Sequence, residues 1–252
     1  FETLLCRRGR ILASQLHESR LALGLSRLAF PNAKVQAKAI FAKAHQLLSG
    51  VAHSGVARLT VTRGSGKRGY TPDVDAKPRS ILIAQGDRVI GNPGVRCGKA
   101  DTHWADQPQL AGLKLLARTE QVLAARQAAM AGWDDAIMLD VRGQVISSSR
   151  GNIFVVTGGQ VLTPDLSRCG IAGTRRQLLI DFILPSLGFE ADVCNLTWEQ
   201  LMTADAVFIT NAVIGIAEVV AIGDTELPKD GVDGLVSRMQ ESMTQYLCQG
   251  LS

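Results

Sequence analysis

One lysine stands apart in this chain of 252 residues. Lys114 lies in Gln107-Pro108-Gln109-Leu110-Ala111-Gly112-Leu113-Lys114-Leu115-Leu116-Ala117-Arg118-Thr119-Glu120-Gln121-Val122, a run of apolar and small residues just ahead of a helical pattern. Desolvating an ammonium group among leucines is costly. The penalty falls on the charged form and favours a neutral amine, which can condense with an aldehyde to a Schiff base. The same residue types also suit a lysine that snorkels to solvent from a half-buried helix. On the first reading Lys114 is a nucleophile, and on the second it belongs to a surface.

Two glycine-rich stretches add chemistry of a different kind. Gly64, Gly66 and Gly69 form a G-x-G-x-x-G after a strand-like run, but the chain continues into Tyr70-Thr71-Pro72-Asp73. That continuation does not open the helix a dinucleotide site needs, so a nucleotide role is excluded. Such a loop can instead bring backbone and arginine close to a carboxylate, or stand as a solvated basic tip. Gly170-Ile171-Ala172-Gly173-Thr174-Arg175-Arg176 sits where a loop enters a helix. Free N–H groups and the helix dipole there favour a phosphate, although a glycine before a helix is often only punctuation.

These stretches together resemble the fold-type-IV pyridoxal-phosphate enzymes, which include branched-chain and D-amino-acid aminotransferases and 4-amino-4-deoxychorismate lyase. The resemblance runs from Phe1 to about Gly223 and is nearest to the lyase branch, whose signature is close to Arg63-Gly64-Ser65-Gly66-Lys67-Arg68-Gly69-Tyr70. It implies that Lys114 carries pyridoxal phosphate and acts as catalytic base and acid. Arg68 and Tyr70 become the substrate-anchoring candidates. Gly173 with the Thr174 and Arg175 amides, and Asn211 with the Ala212 and Val213 amides of Thr210-Asn211-Ala212-Val213-Ile214-Gly215, become a phosphate cup. Arg20 of His17-Glu18-Ser19-Arg20-Leu21 is expected to pair with the phosphate, for which a guanidinium fork is well shaped. Asn152 of Asn152-Ile153-Phe154 is expected to line the pocket. Family members are homodimers, and they usually carry two short strands and an Asp-Arg-Gly turn ahead of the Phe-Glu-Thr seen here as Phe1-Glu2-Thr3. An upstream segment is therefore expected to be missing from this sequence.

The chain departs from the pattern at four places. Leu115, Ala117 and Thr119 replace the usual His, Asn and Leu. Ser147 aligns with the glutamate that normally contacts the pyridine nitrogen. A D-amino-acid or branched-chain aminotransferase of the same fold, and a non-catalytic dimeric homologue, stay open beside the lyase. Other chemistries find no support. There is no G-x-S-x-G elbow, and His17, His45, His53 and His103 lack metal-ligand spacing. Asp134-Asp135, between a helix and a strand, reads as a loop or capping pair rather than an acid/base pair.

Periodicity supplies the elements that must hold these residues. Phe1–Arg8 reads as a strand turning at Gly9, followed by helices over Leu12–Ala29 and from Pro31-Asn32 to Leu48. Arg58–Thr62 and Ser80–Ala84 read as strands. The expected organisation is α/β (α+β): a small α/β domain over 1–84, a linker over 85–98 rich in Gly and Pro, and a larger strand-rich, cofactor-binding domain over 99–252. In the larger part, Ala136–Asp140 and Gln144–Ser148 flank a hairpin turn, Asn152–Val156 pairs with Gln160–Leu162, and Thr174–Leu187 is helical despite Pro185. Thr197-Trp198-Glu199-Gln200 fits a capping box. Ala206–Thr210 and Val219–Ile222 read as strands, and Leu235, Met239, Met243 and Leu247 mark one face of a last helix. The pocket is expected between the two domains. A net charge of +4 without an aromatic-studded basic stripe argues against nucleic acid, and no apolar run reaches membrane-spanning length. Cys6, Cys97, Cys169, Cys194 and Cys248 fit neither a disulfide framework nor a zinc site, and suggest free thiols in the cytoplasm.

Overall fold

The structure is a computed structural model that describes residues 1–66, 68–73, 76–86 and 94–249. The chain forms two compact units. The first comprises Phe1–Val89 with Lys114–Leu116, and the second comprises Ile90–Leu113 with Ala117–Ser252.

The first unit holds a four-stranded antiparallel sheet. Its strands are β1 (Glu2–Arg7), β2 (Arg10–Ile11), β3 (Gly55–Thr62) and β4 (Arg79–Gln85), in the order β2-β1-β3-β4. Helices α1 (Ser14–Arg27) and α2 (Ala33–Gly50) belong to the same unit. Leu21 and Leu25 of α1 and Ala37, Phe41, Ala44 and Leu48 of α2 meet Leu4, Cys6, Ala57 and Leu59 of the sheet in one apolar core. The alternation of β1 buries Glu2, Leu4 and Cys6 on one face. Glu2 therefore enters an apolar interior and needs partners. His17 Nδ1 lies 2.7 Å from Glu2 Oε2, Arg20 Nε donates to Glu2 Oε1 at 2.9 Å, and Arg20 Nη2 donates to Glu2 Oε2.

The second unit is the strand-rich one. It is built from β5 (Val95–Lys99), α3 (Thr119–Ala131), β6 (Asp135–Leu139), β7 (Val145–Ser148), β8 (Asn152–Thr157) and β9 (Gln160–Pro164). The chain continues through α4 (Thr174–Leu178), a π-helical turn (Leu179–Ile183), α5 (Leu184–Ser186), β10 (Ala191–Cys194) and α6 (Trp198–Met202). It ends with β11 (Ala206–Asn211), β12 (Gly215–Ile222), β13 (Thr225–Glu226) and α7 (Leu235–Cys248). The sheet runs β10-β9-β8-β11-β12-β5-β6-β7, and β7 returns to pair with β8. Strands β8, β11, β12, β5, β6 and β7 thereby close into a ring. The closing register pair is Ser147 with Asn152. Residues of every strand of the ring, among them Cys97, Ile137, Val145, Ile153, Ile209 and Val219, share one apolar core.

Local chemistry explains much of this. Thr197 Oγ1 accepts from the Gln200 amide and Gln200 Oε1 accepts from the Thr197 amide, which completes the expected capping box of α6. The β6–β7 turn is built on buried Asp140, whose carboxylate accepts from the Arg142 and Gln144 amides at 2.9 Å. The expected linker divides differently. Residues 87–93 lie outside those described, and 95–98 are strand, because β5 pairs in parallel with both β12 and β6. Among the described residues, no helix is long and apolar enough to cross a membrane.

The Glu2 carboxyl carries an acid-stability signature. Burial alone would raise its pKa, but the Arg20 charge and the hydrogen bonds from His17 and Arg20 outweigh this and hold it at about 2, against an ordinary 4.5. Its contribution is therefore complete above about 4.5 and is lost as pH falls toward about 2. Glu2→Gln should lower unfolding stability at neutral pH by about 3 kcal/mol, because it leaves Arg20 buried without its counter-charge. It should also flatten the acid limb in that window, as read by urea unfolding at a series of pH values. An acid limb unchanged in the variant would show that Glu2 does not carry it.

Candidate active site

Lys114 is not on a helix. It occupies an irregular stretch between β5 and α3, and α3 begins at Thr119, so the picture of a lysine snorkelling from a helix does not apply. The residue is half-buried. Its Nζ lies 4.5 Å from the centroid of the Phe1 ring, and its carbonyl oxygen accepts from the Phe1 nitrogen at 2.9 Å. Phe1 precedes Glu2, the residue that grips Arg20. Lys114 and Arg20 are thus tied to the same dipeptide within the first unit. Arg20 directs two guanidinium nitrogens at Glu2, a partner the sequence reading did not assign to it.

Just before Lys114 the chain is fixed from another side. The Gly112 amide donates to the Gly170 carbonyl at 3.0 Å, and the Gly112 carbonyl accepts from the Ala172 amide at 3.0 Å. Gly112 therefore forms a parallel bridge with Ile171, which lies just ahead of Gly173 and the start of α4. Asn152 holds the same loop, with Nδ2 donating to the Ile171 carbonyl at 2.8 Å. Its Oδ1 crowds Gly173 so closely that a Cβ there would overlap it. Only glycine allows this approach.

Helix α4 starts with Gly173 in extended geometry and no side-chain cap. The first amides of a helix have no carbonyl partner within it, so the Thr174 and Arg175 N–H groups suit an anion. Arg175 is fully buried, and its Nη2 donates to the Ala212 carbonyl at 3.3 Å, which joins the α4 start to the 211–214 turn. Asn211 builds that turn. Its Oδ1 accepts from the Val213 and Ile214 amides at 2.9 Å, and its Nδ2 donates to the Arg150 carbonyl at 3.2 Å. The Val213 amide thus donates to Asn211, a partner the sequence did not assign to it. The Ala212 position keeps its place beside Arg175.

Ser147 is buried on β7 and accepts from Trp104 Nε1 at 2.9 Å. As register partner of Asn152, it stands next to the residue that shapes the α4 start. The second unit therefore gathers Ser147, Asn152, Gly173, Thr174, Arg175, Asn211, Ala212 and Val213 into one connected region. The first unit carries Lys114, Arg20, Arg68 and Tyr70.

Arg68 and Tyr70 lie on an exposed loop, and Tyr70 is fully exposed. Lys67 of the same motif is outside the described residues. The anchored arginine of this stretch is Arg63, which donates to the Leu28 and Ala29 carbonyls and lies over the Phe30 ring. Gly64, at φ +95°, has room for no side chain because the Lys77 carbonyl abuts it.

Three residues escaped the sequence reading as site components. Glu2 and His17 each interrupt an otherwise apolar pattern: Glu2 shares a strand face with Leu4 and Cys6, and His17 shares a helix stripe with Leu21 and Leu25. A polar residue on such a face signals a buried pair. Trp104 lies in a polar loop with no periodicity, and only its indole N–H, which seeks an acceptor when buried, hinted at a role. Asp135, expected in a loop or capping pair, is instead the buried first residue of β6, where it accepts from Ser149 and Arg150 of the turn that precedes β8.

Within the second unit the start of α4 suits an anion, and Lys114 follows Gly112 by two residues along the chain. Comparison with known proteins agrees. Residues 1–222 match the model of the amino-transferase class IV family. An aminodeoxychorismate lyase from Vibrio harveyi is 30% identical over 247 residues, covering 94% of this chain and 88% of its own. The crystal structure of 4-amino-4-deoxychorismate lyase from Pseudomonas aeruginosa superimposes with a TM-score of 0.89 at 35% identity, covering 97% of this chain and 89% of that one. An aminotransferase from Brucella abortus bound to the cofactor PLP shares the fold, with a TM-score of 0.83 at 18% identity over 98% of this chain and 88% of that one. The chain belongs to the amino-transferase class IV family.

Proposed function

We propose that this chain is a pyridoxal-phosphate-dependent aminodeoxychorismate lyase that splits 4-amino-4-deoxychorismate into 4-aminobenzoate and pyruvate, a step of folate synthesis. The observation that carries the reading is the Gly112–Ile171 bridge, which fixes the lysine segment to the loop that opens α4. The likeness to the Vibrio and Pseudomonas lyases over nearly the whole chain supports the substrate.

The residues suit pyridoxal phosphate. The uncapped α4 start, with the Thr174 and Arg175 amides beside the buried Arg175 guanidinium, fits a phosphate. Gly173 and Asn152 shape that seat, Asn211 and Ala212 wall it, Arg20 would add a guanidinium to the phosphate, and Ser147 would face the ring nitrogen. When bound through its aldehyde to Lys114, the cofactor supplies an electron sink for a substrate carbanion. Once the substrate amine has displaced it from the aldehyde, Lys114 Nζ would be free to take the proton from the amine-bearing ring carbon and then to give a proton to the departing enolpyruvyl oxygen. Departure of the enolpyruvyl group leaves an aromatic ring, so aromatisation drives the reaction. Arg68 and Tyr70 anchor a substrate carboxylate from their exposed loop. The reading brings with it a homodimer working in the cytoplasm.

Purified protein given pyridoxal phosphate and 4-amino-4-deoxychorismate should release 4-aminobenzoate and pyruvate in equal amounts. Lys114→Ala should abolish product while keeping the far-ultraviolet dichroism of the parent. Product formation by Lys114→Ala at the parental rate would refute the assignment, and amino transfer without lysis would select the aminotransferase.

Arg68→Lys keeps the charge but loses the planar fork. It should weaken substrate binding by about 1.5–3 kcal/mol, as expected for a charged hydrogen bond, with the cofactor spectrum unchanged. An unchanged KM would return Arg68 to the role of a solvated tip.

A further inference from the structure

Ser147 is buried, 4% exposed, and its hydroxyl accepts from the indole N–H of Trp104, 6% exposed, at 2.9 Å. An indole nitrogen can only donate, so the direction of this bond is fixed. A serine hydroxyl has one hydrogen and two lone pairs. Trp104 occupies one lone pair. Among the described residues no acceptor faces the hydrogen, which is therefore left for a group that the site must receive. A protonated ring nitrogen could use the second lone pair, but that would leave the buried hydroxyl hydrogen without an acceptor. A bare ring nitrogen satisfies every group.

From this geometry we infer that Trp104 is a positioning residue that aims the Ser147 hydroxyl as a donor, so that this enzyme holds the pyridine nitrogen of its cofactor unprotonated. The inference rests on the proposed placement of Ser147 at that nitrogen. The surrounding charges agree with it. On the neighbouring strand β6, Asp135 accepts from Ala136, Ser149 and Arg150, and in the β6–β7 turn Asp140 accepts from Arg142 and Gln144. Glu120 accepts from the Ala105 amide at 3.1 Å. All three carboxylates are engaged elsewhere. The charge set against the indole is a cation: the Arg118 guanidinium carbon lies 5.6 Å from the Trp104 ring centroid. A cation nearby disfavours a second one on the ring. A bare nitrogen withdraws electrons less strongly, which an aromatising lysis tolerates better than amino transfer does.

The test is 15N NMR of the holoenzyme loaded with cofactor labelled at the ring nitrogen, recorded across the pH range in which the protein is folded. The parent should give the signal of an unprotonated nitrogen that does not change with pH. Ser147→Glu should give the protonated signal. Ser147→Ala, which adds no buried charge and should fold, should stay unprotonated but shift through loss of the donated hydrogen bond. Trp104→Phe leaves the hydroxyl free to rotate, and the signal should shift from the parent's toward that of Ser147→Ala. A protonated nitrogen in the parent, or a Trp104→Phe signal identical to the parent's at every pH, would overturn the inference. Identical signals from the parent, Ser147→Ala and Ser147→Glu, with cofactor bound in all three, would instead overturn the placement of Ser147. Failure of the parent to bind the labelled cofactor would overturn the proposed function itself.

Discussion

The pairing of Ser147 with Asn152 is the constraint on which the second unit turns. It is the contact that returns β7 to β8 and closes the ring of strands. A register slip of one residue would send every β8 side chain to the opposite face, so closure at this pair also decides that Asn152 points at the 170–173 loop. There its amide nitrogen holds the Ile171 carbonyl, and its oxygen presses on Gly173. The start of α4 is thus set by a strand rather than by a cap of its own. That arrangement puts a helix start without a side-chain cap beside Asn152 and Gly173.

The first unit solves a different problem. A carboxylate on the inner face of β1 is unfavourable in isolation. His17 and Arg20, one turn apart on α1, satisfy it and bind the helix to the strand. A buried ion pair of this kind adds little net stability over an apolar contact, yet it fixes which way the guanidinium faces. Orientation is what the phosphate-pairing role proposed for Arg20 needs, and the adjoining Phe1 shares its backbone nitrogen and its ring with Lys114. Glu2 thereby links a structural pair to Lys114 through one peptide bond.

Much of this was legible in the sequence, and the exceptions have physical causes. The antiparallel hairpins, the capping box of α6 and the apolar face of α7 follow from local patterns of turn residues and periodicity. Strand β5 did not read as a strand because Gly94 and Gly98 break its alternation. Gly98 is required by tertiary packing, since a Cβ there would overlap the Trp133 ring. The helix over 174–186 was expected to continue past Pro185, and it does so by widening into a π turn before the residue that lacks an N–H. Lys114, Gly173 and Asn152 were assigned their candidate roles through motif resemblance. The grip of Glu2 on Arg20 and the Trp104–Ser147 bond were not legible, because each joins residues whose meeting depends on the folded chain, whereas the bond from the Val213 amide to Asn211 is a local turn that spans two residues.

The central claim is that a single lysine, Lys114, carries the cofactor. The most direct measurement is borohydride reduction of the protein loaded with pyridoxal phosphate, followed by proteolysis and mass mapping of the labelled peptide. The account predicts the label on Lys114 alone. A label on Lys67 or Lys99, or on no lysine at all, would contradict it.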